Sequence, residues 1–202
     1  MAAKGRSKAP RMLLIFCEGK TEEAYFNILL DFFRLPQYVV VEVAGQKGQH
    51  LALVDNIAKR RDELCAEELF RRDEIECWAV CDEDLMPVSF GELDRYAEER
   101  DVRLAFSAPQ FEMYLLQHFE QSGSADRGEV FRRLTAYRKE NGGEGRYDDS
   151  TKSDLGWIGV AIDRKPKIVS VAITNSDLRD RAAKRPFLTV QNLSRRILEM
   201  AL

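Results

Sequence analysis

Four short runs rich in apolar and β-branched residues in the first half of the chain predict β-strands, and the first of them continues without the polar alternation of a half-exposed strand, which predicts a buried one. The predicted strands cover residues 11–17, 38–43, 75–84 and 102–107. The segments between and after them carry apolar residues at helical spacing. The predicted helices cover residues 21–36, 51–70, 90–100 and 109–119. This alternation predicts an α/β fold with a mainly parallel sheet of about four strands and helices on both faces.

The pattern changes after Phe119, where polar, glycine-containing links surround short helical segments. The predicted helices of this second half cover about 129–140, 153–164, 167–184 and 189–201. We therefore expect an α/β domain over residues 11–119 and a helical C-terminal extension over 120–202 that packs on it.

Composition narrows the class of protein. Hydrophobic residues make up 45% and charged residues 32%, which is typical of a folded globular chain. No apolar stretch approaches the roughly 20 residues that span a bilayer, so we expect a cytoplasmic protein without a membrane partner. The four cysteines are irregularly spaced, which favours reduced core thiols over disulfides or zinc.

Charge is distributed unevenly along the chain. Residues 1–119 carry seven more acidic than basic side chains, and residues 120–202 carry four more basic than acidic ones. This asymmetry suits a metal centre beside a surface that binds a polyanion, although chance placement of solvated charges gives the same count.

Acidic residues follow two of the predicted strands at their carboxyl ends. Glu18 follows the first strand, and Asp82 and Asp84 end the third. Because functional groups of an open parallel sheet gather at the carboxyl ends of its strands, we expect these corners to meet. Glu22, four residues after Glu18, can join them. Carboxylates are the ligands that Mg²⁺ and Mn²⁺ prefer, so a divalent metal site is one hypothesis and solvated strand ends are the alternative.

The first corner also contains the sequence Gly19-Lys20-Thr21, which matches the end of a phosphate-binding loop. That loop needs a glycine five positions before Gly19, and Leu14 stands there, inside the predicted strand. A backbone cradle for phosphate therefore has no room to form. We expect Gly19 to turn the chain and Thr21 to cap the following helix.

These residues together resemble the TOPRIM domain of topoisomerases, primases and OLD-type nucleases, which has a Rossmann-like sheet. Its pattern is a glutamate-glycine after the first strand and an Asp-x-Asp after the third. More closely, the chain resembles the RloB family, which is encoded with restriction or phage-defence loci and commonly beside an ATPase. The segments that carry this resemblance are residues 17–26, 73–85, 107–119 and, more loosely, 172–193.

The resemblance implies a TOPRIM-like catalytic domain over residues 11–119 that cuts a phosphodiester of DNA or RNA with Mg²⁺ or Mn²⁺. Glu18 would act as general base or metal ligand, with Asp82 and Asp84 as ligands. Glu22 occupies the place of a second metal-binding acid in OLD-type nucleases. Glu112 is a candidate catalytic acid for a second metal, although Ala108 replaces an asparagine that is usual in the family.

Three lysines are candidates for binding substrate phosphate. Lys152 is the candidate for a downstream lysine that steadies the reacting phosphate in some relatives. Lys20 and Lys47 lie in the loops near the first and second strands, where a solvated lysine is the alternative. Further basic residues predict a surface that follows the nucleic-acid backbone, unless helical placement alone exposes them. These are Arg132, Arg133, Arg138, Lys139, Arg179, Arg181, Lys184 and Arg185.

The acids and histidines also have structural interpretations. An acid such as Glu22 is favoured in a first helical turn by the helix dipole alone. Glu112 lies in an apolar stripe and can be a buried acid with a structural partner. His118, in the same stripe, is expected in the core, and His50 is expected in a loop or at a cap.

The leading hypothesis is thus a nuclease of the RloB/TOPRIM type that acts in anti-phage defence. Its expected partners are nucleic acid, an ABC- or AAA-type ATPase subunit and, as a homodimer, a second copy of the chain. One alternative is a non-catalytic TOPRIM module that scaffolds or regulates the ATPase. Another is an enzyme that hydrolyses nucleotides or transfers nucleotidyl groups.

Overall fold

An open sheet of five strands lies at the centre of the computed structural model, which describes residues 10–180 and 185–201. The strands are β1 Met12–Cys17, β2 Val40–Ala44, β3 Ile75–Asp82, β4 Arg103–Ala108 and β5 Phe187–Leu188. Their order across the sheet is β2-β1-β3-β4-β5, and the first four are parallel. The predicted α/β class with a mainly parallel sheet is therefore confirmed.

The fifth strand was not predicted from the sequence. It pairs antiparallel with the end of β4, and its two residues are too few to show a strand period. The Phe187 ring packs 4.8 Å from the Phe90 ring, measured between centroids. Thr189 extends the contact, because its N–H donates to Phe106 O at 2.8 Å and its hydroxyl accepts from the Phe106 N–H at 2.9 Å.

Helices cover both faces of the sheet. The described residues form α1 Lys20–Phe32, α2 His50–Ala66, α3 Phe90–Glu98, α4 Glu112–Gln117, α5 Arg127–Glu140, α6 Gly156–Arg164, α7 Lys167–Asp177 and α8 Val190–Ala201, with a 3₁₀ turn at Arg72–Glu74. The helix predicted at 167–184 ends at Asp177, and residues 181–184 lie outside the described part of the chain. No described helix combines the length and apolarity needed to cross a bilayer.

Two predicted helix starts were wrong. Thr21 does not cap α1; Gly19 occupies the N-cap, and no side chain supplies the cap hydrogen bond. Pro109 is not the first residue of α4, because the chain turns after β4 through a cis Ala108–Pro109 bond and the helix begins at Glu112.

Alternate residues of β1 divide the apolar core into two layers. Leu13, Ile15 and Cys17 pack with α1 and with helices α4 to α8. Met12, Leu14 and Phe16 pack with α2 and α3 on the opposite face. The helices after residue 120 thus share one core with β1 and α1, while the division of the chain into 11–119 and 120–202 stays a prediction.

The cysteines belong to both layers. Cys17 faces the first layer, whereas Cys77 and Cys81 face the second, and all three are buried. All four cysteines of the chain are free thiols, as the sequence predicted.

A buried polar network joins α1, α4 and α8. The Tyr114 hydroxyl donates to Ser194 Oγ at 2.6 Å and lies 3.4 Å from the Tyr25 hydroxyl. The Tyr25 hydroxyl in turn lies 3.0 Å from His118 Nε2. Burial lowers the pKa of His118 to about 4, so this ring is neutral at physiological pH. His118 is the hydrogen-bonded core histidine that the sequence predicted.

An ion-pair cluster fixes α8 to the sheet at a second point. The Glu76 carboxylate, on β3, accepts from Arg196 at 3.0 Å and from Arg103 at 2.9 Å. It also accepts from the Trp78 indole N–H at 2.9 Å. The last helix of the chain is therefore held against the strands that carry the acidic residues.

We expect Tyr114→Phe to lower the free energy of unfolding by about 1–2 kcal/mol, because the substitution leaves Ser194 without its buried donor. Urea unfolding measures this change. Tyr38→Phe is the matched control, since Tyr38 is 61% exposed and should lose little. Equal effects of the two substitutions would contradict a stabilising role for the network.

Candidate active site

The acidic corners meet because β1 and β3 are neighbours in the sheet. Cys17 lies beside Val80 in the parallel register, and the Glu18 N–H donates to Val80 O at 2.9 Å. Glu18 and Asp82 therefore leave the same edge of the sheet side by side. A cleft of about 360 Å³ opens there, and its carboxylate-bearing walls include Glu18, Glu22, Asp82 and Asp84.

A second cleft of about 370 Å³ adjoins the first, since Asp82, Asp84 and Lys152 line both. Glu112 and Arg127 belong to this second cleft. The structure thus brings together five of the predicted acids, from β1, α1, β3 and α4.

Glu18 is a half-buried acid with an orphaned oxygen. Burial, followed by the negative charge of Asp82, raises the pKa of Glu18 to about 7. The neighbouring Gln49 side chain and Asp82 backbone act in the opposite direction and lower this pKa. Even so, Glu18 Oε2 has no hydrogen-bond partner among the described residues.

Glu22 occupies the third position of α1, and its carboxylate folds back over Gly19. A Cβ on Gly19 would lie 2.6 Å from Glu22 Oε2, so this glycine is needed for close approach. Gly19 has a φ of −119°, which any residue can adopt. Burial raises the pKa of Glu22 to about 8, and the charges of Asp82, Glu112 and Glu18 add to the rise.

Asp82 and Asp84 form the Asp-x-Asp loop that was predicted. Asp82 Oδ1 accepts from the Asp84 N–H at 3.0 Å, which fixes the turn after β3. Burial, followed by the charge of Asp84, raises the pKa of Asp82. Asp84 itself is exposed on the cleft wall.

The position of Glu112 is compatible with both interpretations from the sequence, a site acid and a buried acid with a structural partner. It begins α4 and is 4% exposed, and the Tyr147 hydroxyl donates to Glu112 Oε1 at 3.5 Å. Burial raises its pKa, and the charge of Asp82 acts in the same direction. A structural partner and a place on the cleft are therefore compatible.

Metal binding fits the chemistry of these residues. Among residues 10–180 and 185–201, no group of three or more His, Cys, Asp and Glu side chains is arranged to hold a metal ion as it stands. Mg²⁺ keeps several waters and needs only one or two protein carboxylates. The orphaned Glu18 Oε2 and the mutual repulsion of Glu18, Glu22 and Asp82 fit a positive charge in the first cleft.

The three predicted lysines occupy different places. Lys152 lines both clefts, and Lys20 lines the first. The ammonium of Lys47 instead lies 5.7 Å from the centroid of the Phe16 ring. The backbone N–H of Lys47 donates to Cys17 O at 3.3 Å. Binding of phosphate by each of them stays a prediction.

The structure agrees with the sequence in excluding a phosphate-binding loop at this corner. β1 ends at Cys17 and α1 begins at Lys20, so only Glu18 and Gly19 connect them. Two residues cannot wrap backbone N–H groups around a phosphate.

His50 is a site residue that the sequence reasoning missed. It begins α2, as a cap residue would, but its ring is buried at the cleft. His50 Nε2 lies 3.1 Å from Asp82 O and 3.9 Å from Glu18 Oε2. Its φ of +46° is uncommon for a residue with a Cβ, and the glycines at 45 and 48 were the available signal of an unusual loop.

The predicted basic surface is only partly present. Arg138 is buried and donates to Glu144 O at 2.8 Å and to Asp154 Oδ2 at 2.6 Å, so its role is structural. Arg133 pairs with Glu120 and Glu129. Arg132 and Lys139 are exposed, and Arg181 and Lys184 lie outside the described residues.

Comparison with family models identifies one match, to the family described as RloB-like protein, over residues 13–193. This match spans nearly the whole chain and confirms the resemblance to the RloB family. No curated protein and no solved structure matches the chain.

We expect the metal-free protein to lose stability as pH rises from about 5 to about 8. The pKa of Glu22 is raised in the folded state from 4.5 to about 8, so the folded chain binds the extra proton and unfolding is favoured as that proton is lost. The expected loss is about 3–4 kcal/mol. Urea unfolding in EDTA across this range measures it, and Glu22→Gln should flatten the profile. An unchanged profile in that variant would exclude Glu22 as the cause.

We expect Gly19→Ala to weaken Mn²⁺ binding by roughly 10-fold, because the new Cβ displaces the Glu22 carboxylate while the backbone conformation stays allowed. Isothermal titration with Mn²⁺ measures the affinity. Gly91→Ala is the control, since its Cβ would meet nothing within 4 Å. Unaltered Mn²⁺ affinity in Gly19→Ala would remove Glu22 from the predicted ligands.

Proposed function

The chain belongs to the RloB-like protein family, and we propose that it is a Mg²⁺- or Mn²⁺-dependent nuclease that hydrolyses phosphodiesters of DNA or RNA. The observation that carries the proposal is the meeting of Glu18, Glu22 and Asp82 in one cleft with Lys152. Acids that repel one another beside the Lys152 ammonium suit a substrate that carries phosphate and is bound together with a metal ion.

The metal would be held by Asp82 and Asp84, with Glu18 or Glu22 completing the set. When bound, it would polarise the phosphodiester and lower the pKa of a water molecule. Glu112, which lines the second cleft, would be the ligand for a second ion.

Glu18 is the residue proposed to move the proton. Its pKa of about 7 lies near the working pH, which suits a general base, and Oε2 is free to accept. His50 holds the turn after β3 in place, since its ring contacts Asp82 O, and Gln49 lines the cleft beside Glu18. Lys152 supplies positive charge to the phosphate that is cut.

The biological setting is proposed from the family resemblance. We propose a cytoplasmic protein with a TOPRIM-type catalytic domain that acts in anti-phage defence under the control of an ATPase partner. The non-catalytic alternative, in which the chain regulates that ATPase, predicts the same fold without turnover.

We expect the purified protein to cleave plasmid, single-stranded DNA or tRNA in Mg²⁺ or Mn²⁺ and to be inactive in EDTA. Asp82→Asn should lower the rate by roughly 100-fold or more, because it removes a charged ligand from the cleft. Gel electrophoresis of each substrate measures cleavage, with and without the ATPase partner.

Asp163→Asn is the matched control, since Asp163 is exposed on α6. This variant should cleave like the wild type. Absence of metal-dependent cleavage of every substrate, with the partner present, would reject the nuclease. Equal loss in both variants would reject the assigned site.

A further inference from the structure

A basic pair beside the acids shares a single carboxylate. Arg127 begins α5 and bonds through Nη2 to Asp149 Oδ1. Lys152 Nζ lies 3.9 Å from the same oxygen. One oxygen of Asp149 thus faces two cations, in the way that a phosphate oxygen would.

The three groups span the boundary between the two clefts. Asp149 lines the first cleft, Arg127 lines the second and Lys152 lines both. The Arg127–Asp149 pair therefore lies where the two clefts join, as do Asp82 and Asp84, which line both. If this pair opens, the two clefts form one groove.

The pair is suited to exchange for another anion. The side chains of Arg127 and Asp149 are 54% and 69% exposed, and exposed ion pairs add little stability. The Arg127 guanidinium also stacks over the Phe131 ring at 4.9 Å from its centroid, which keeps the arginine oriented if Asp149 leaves. A guanidinium and an ammonium together match the oxygens of a phosphodiester.

We infer that Arg127 and Lys152 form a binding subsite for a backbone phosphate of nucleic acid, and that Asp149 occupies this subsite until substrate displaces it. The inference rests on the proposed function, because it places the subsite next to the metal-binding acids. Arg127 is a substrate-binding residue that neither the motif pattern nor the family match assigns. The phosphate of this subsite is the one that Lys152 would contact at the site of cleavage, and Arg127 approaches it from the second cleft, which Glu112 also lines.

Oligonucleotide binding, measured under conditions in which no cleavage occurs, tests the inference separately from the nuclease activity. A fluorescein-labelled single-stranded oligonucleotide is titrated with the full chain in Ca²⁺, which takes the same oxygen ligands as the proposed metals. Fluorescence anisotropy gives the dissociation constant at several salt concentrations. Arg127→Ala should weaken binding roughly 5-fold and lower the slope of log affinity against log salt by about 1. Arg95→Ala is the control, since Arg95 is exposed on α3 and lines neither cleft.

Asp149→Asn should tighten binding roughly 3-fold, because it releases both cations at once. The same substitution made in Arg127→Ala should give a smaller gain, which separates displacement from a general change of charge. Asp163→Asn removes an equal charge elsewhere on the surface and should leave affinity near that of the wild type. Circular dichroism and thermal unfolding confirm that each variant is folded.

The results separate this inference from the proposed function. Equal affinities for Arg127→Ala, Arg95→Ala and the wild type, no oligonucleotide binding at all, or equal gains from Asp149→Asn in both backgrounds would each overturn the subsite. If Arg127→Ala cleaves substrate at the wild-type rate, the proposed nuclease activity stands and the subsite is rejected. Displacement of the oligonucleotide by ATP at equal phosphate concentration would reassign the subsite to nucleotides.

Discussion

Mutual repulsion among buried carboxylates is the constraint on which the rest of this structure depends. The parallel register of β1 and β3 places Glu18 beside Asp82, and the first turn of α1 adds Glu22 to the same cleft. Burial disfavours ionisation of Glu18 and Glu22, and the charges of the neighbouring acids add to the effect. Such an arrangement persists only when the surrounding structure holds it rigidly, and it becomes favourable when a cation arrives.

That rigidity comes from the second half of the chain. Helices α4 to α8 pack against the face of β1 and β3 that also receives α1. Tyr114 and Ser194 connect α4 to α8 inside this layer, while Glu76 and Arg196 attach α8 to β3. The segment that follows the predicted catalytic domain therefore supports the residues that carry the proposed chemistry.

Much of this architecture was predictable from the sequence, for identifiable reasons. The central strands β1 and β3 are buried on both faces, so each leaves a continuous apolar run, and an acid at the end of such a run marks the functional edge of the sheet. β5 left no such signal, because two residues carry no periodicity. His50, Arg127 and Asp149 were missed because the folding of the loops before α2 and around α5 decides their positions, and no local pattern reports it.

The short fifth strand has a consequence for how the molecule meets other chains. An open sheet exposes unpaired backbone groups at its edge strands, where a foreign strand can add. Here the Phe106 N–H and C=O both bond to Thr189, and the two residues after Phe106 pair with β5. The carboxyl end of β4 is therefore closed to strand addition, at the same end of the parallel strands from which Glu18 and Asp82 leave, and this keeps aggregation-prone backbone away from the groove through which an extended substrate would pass.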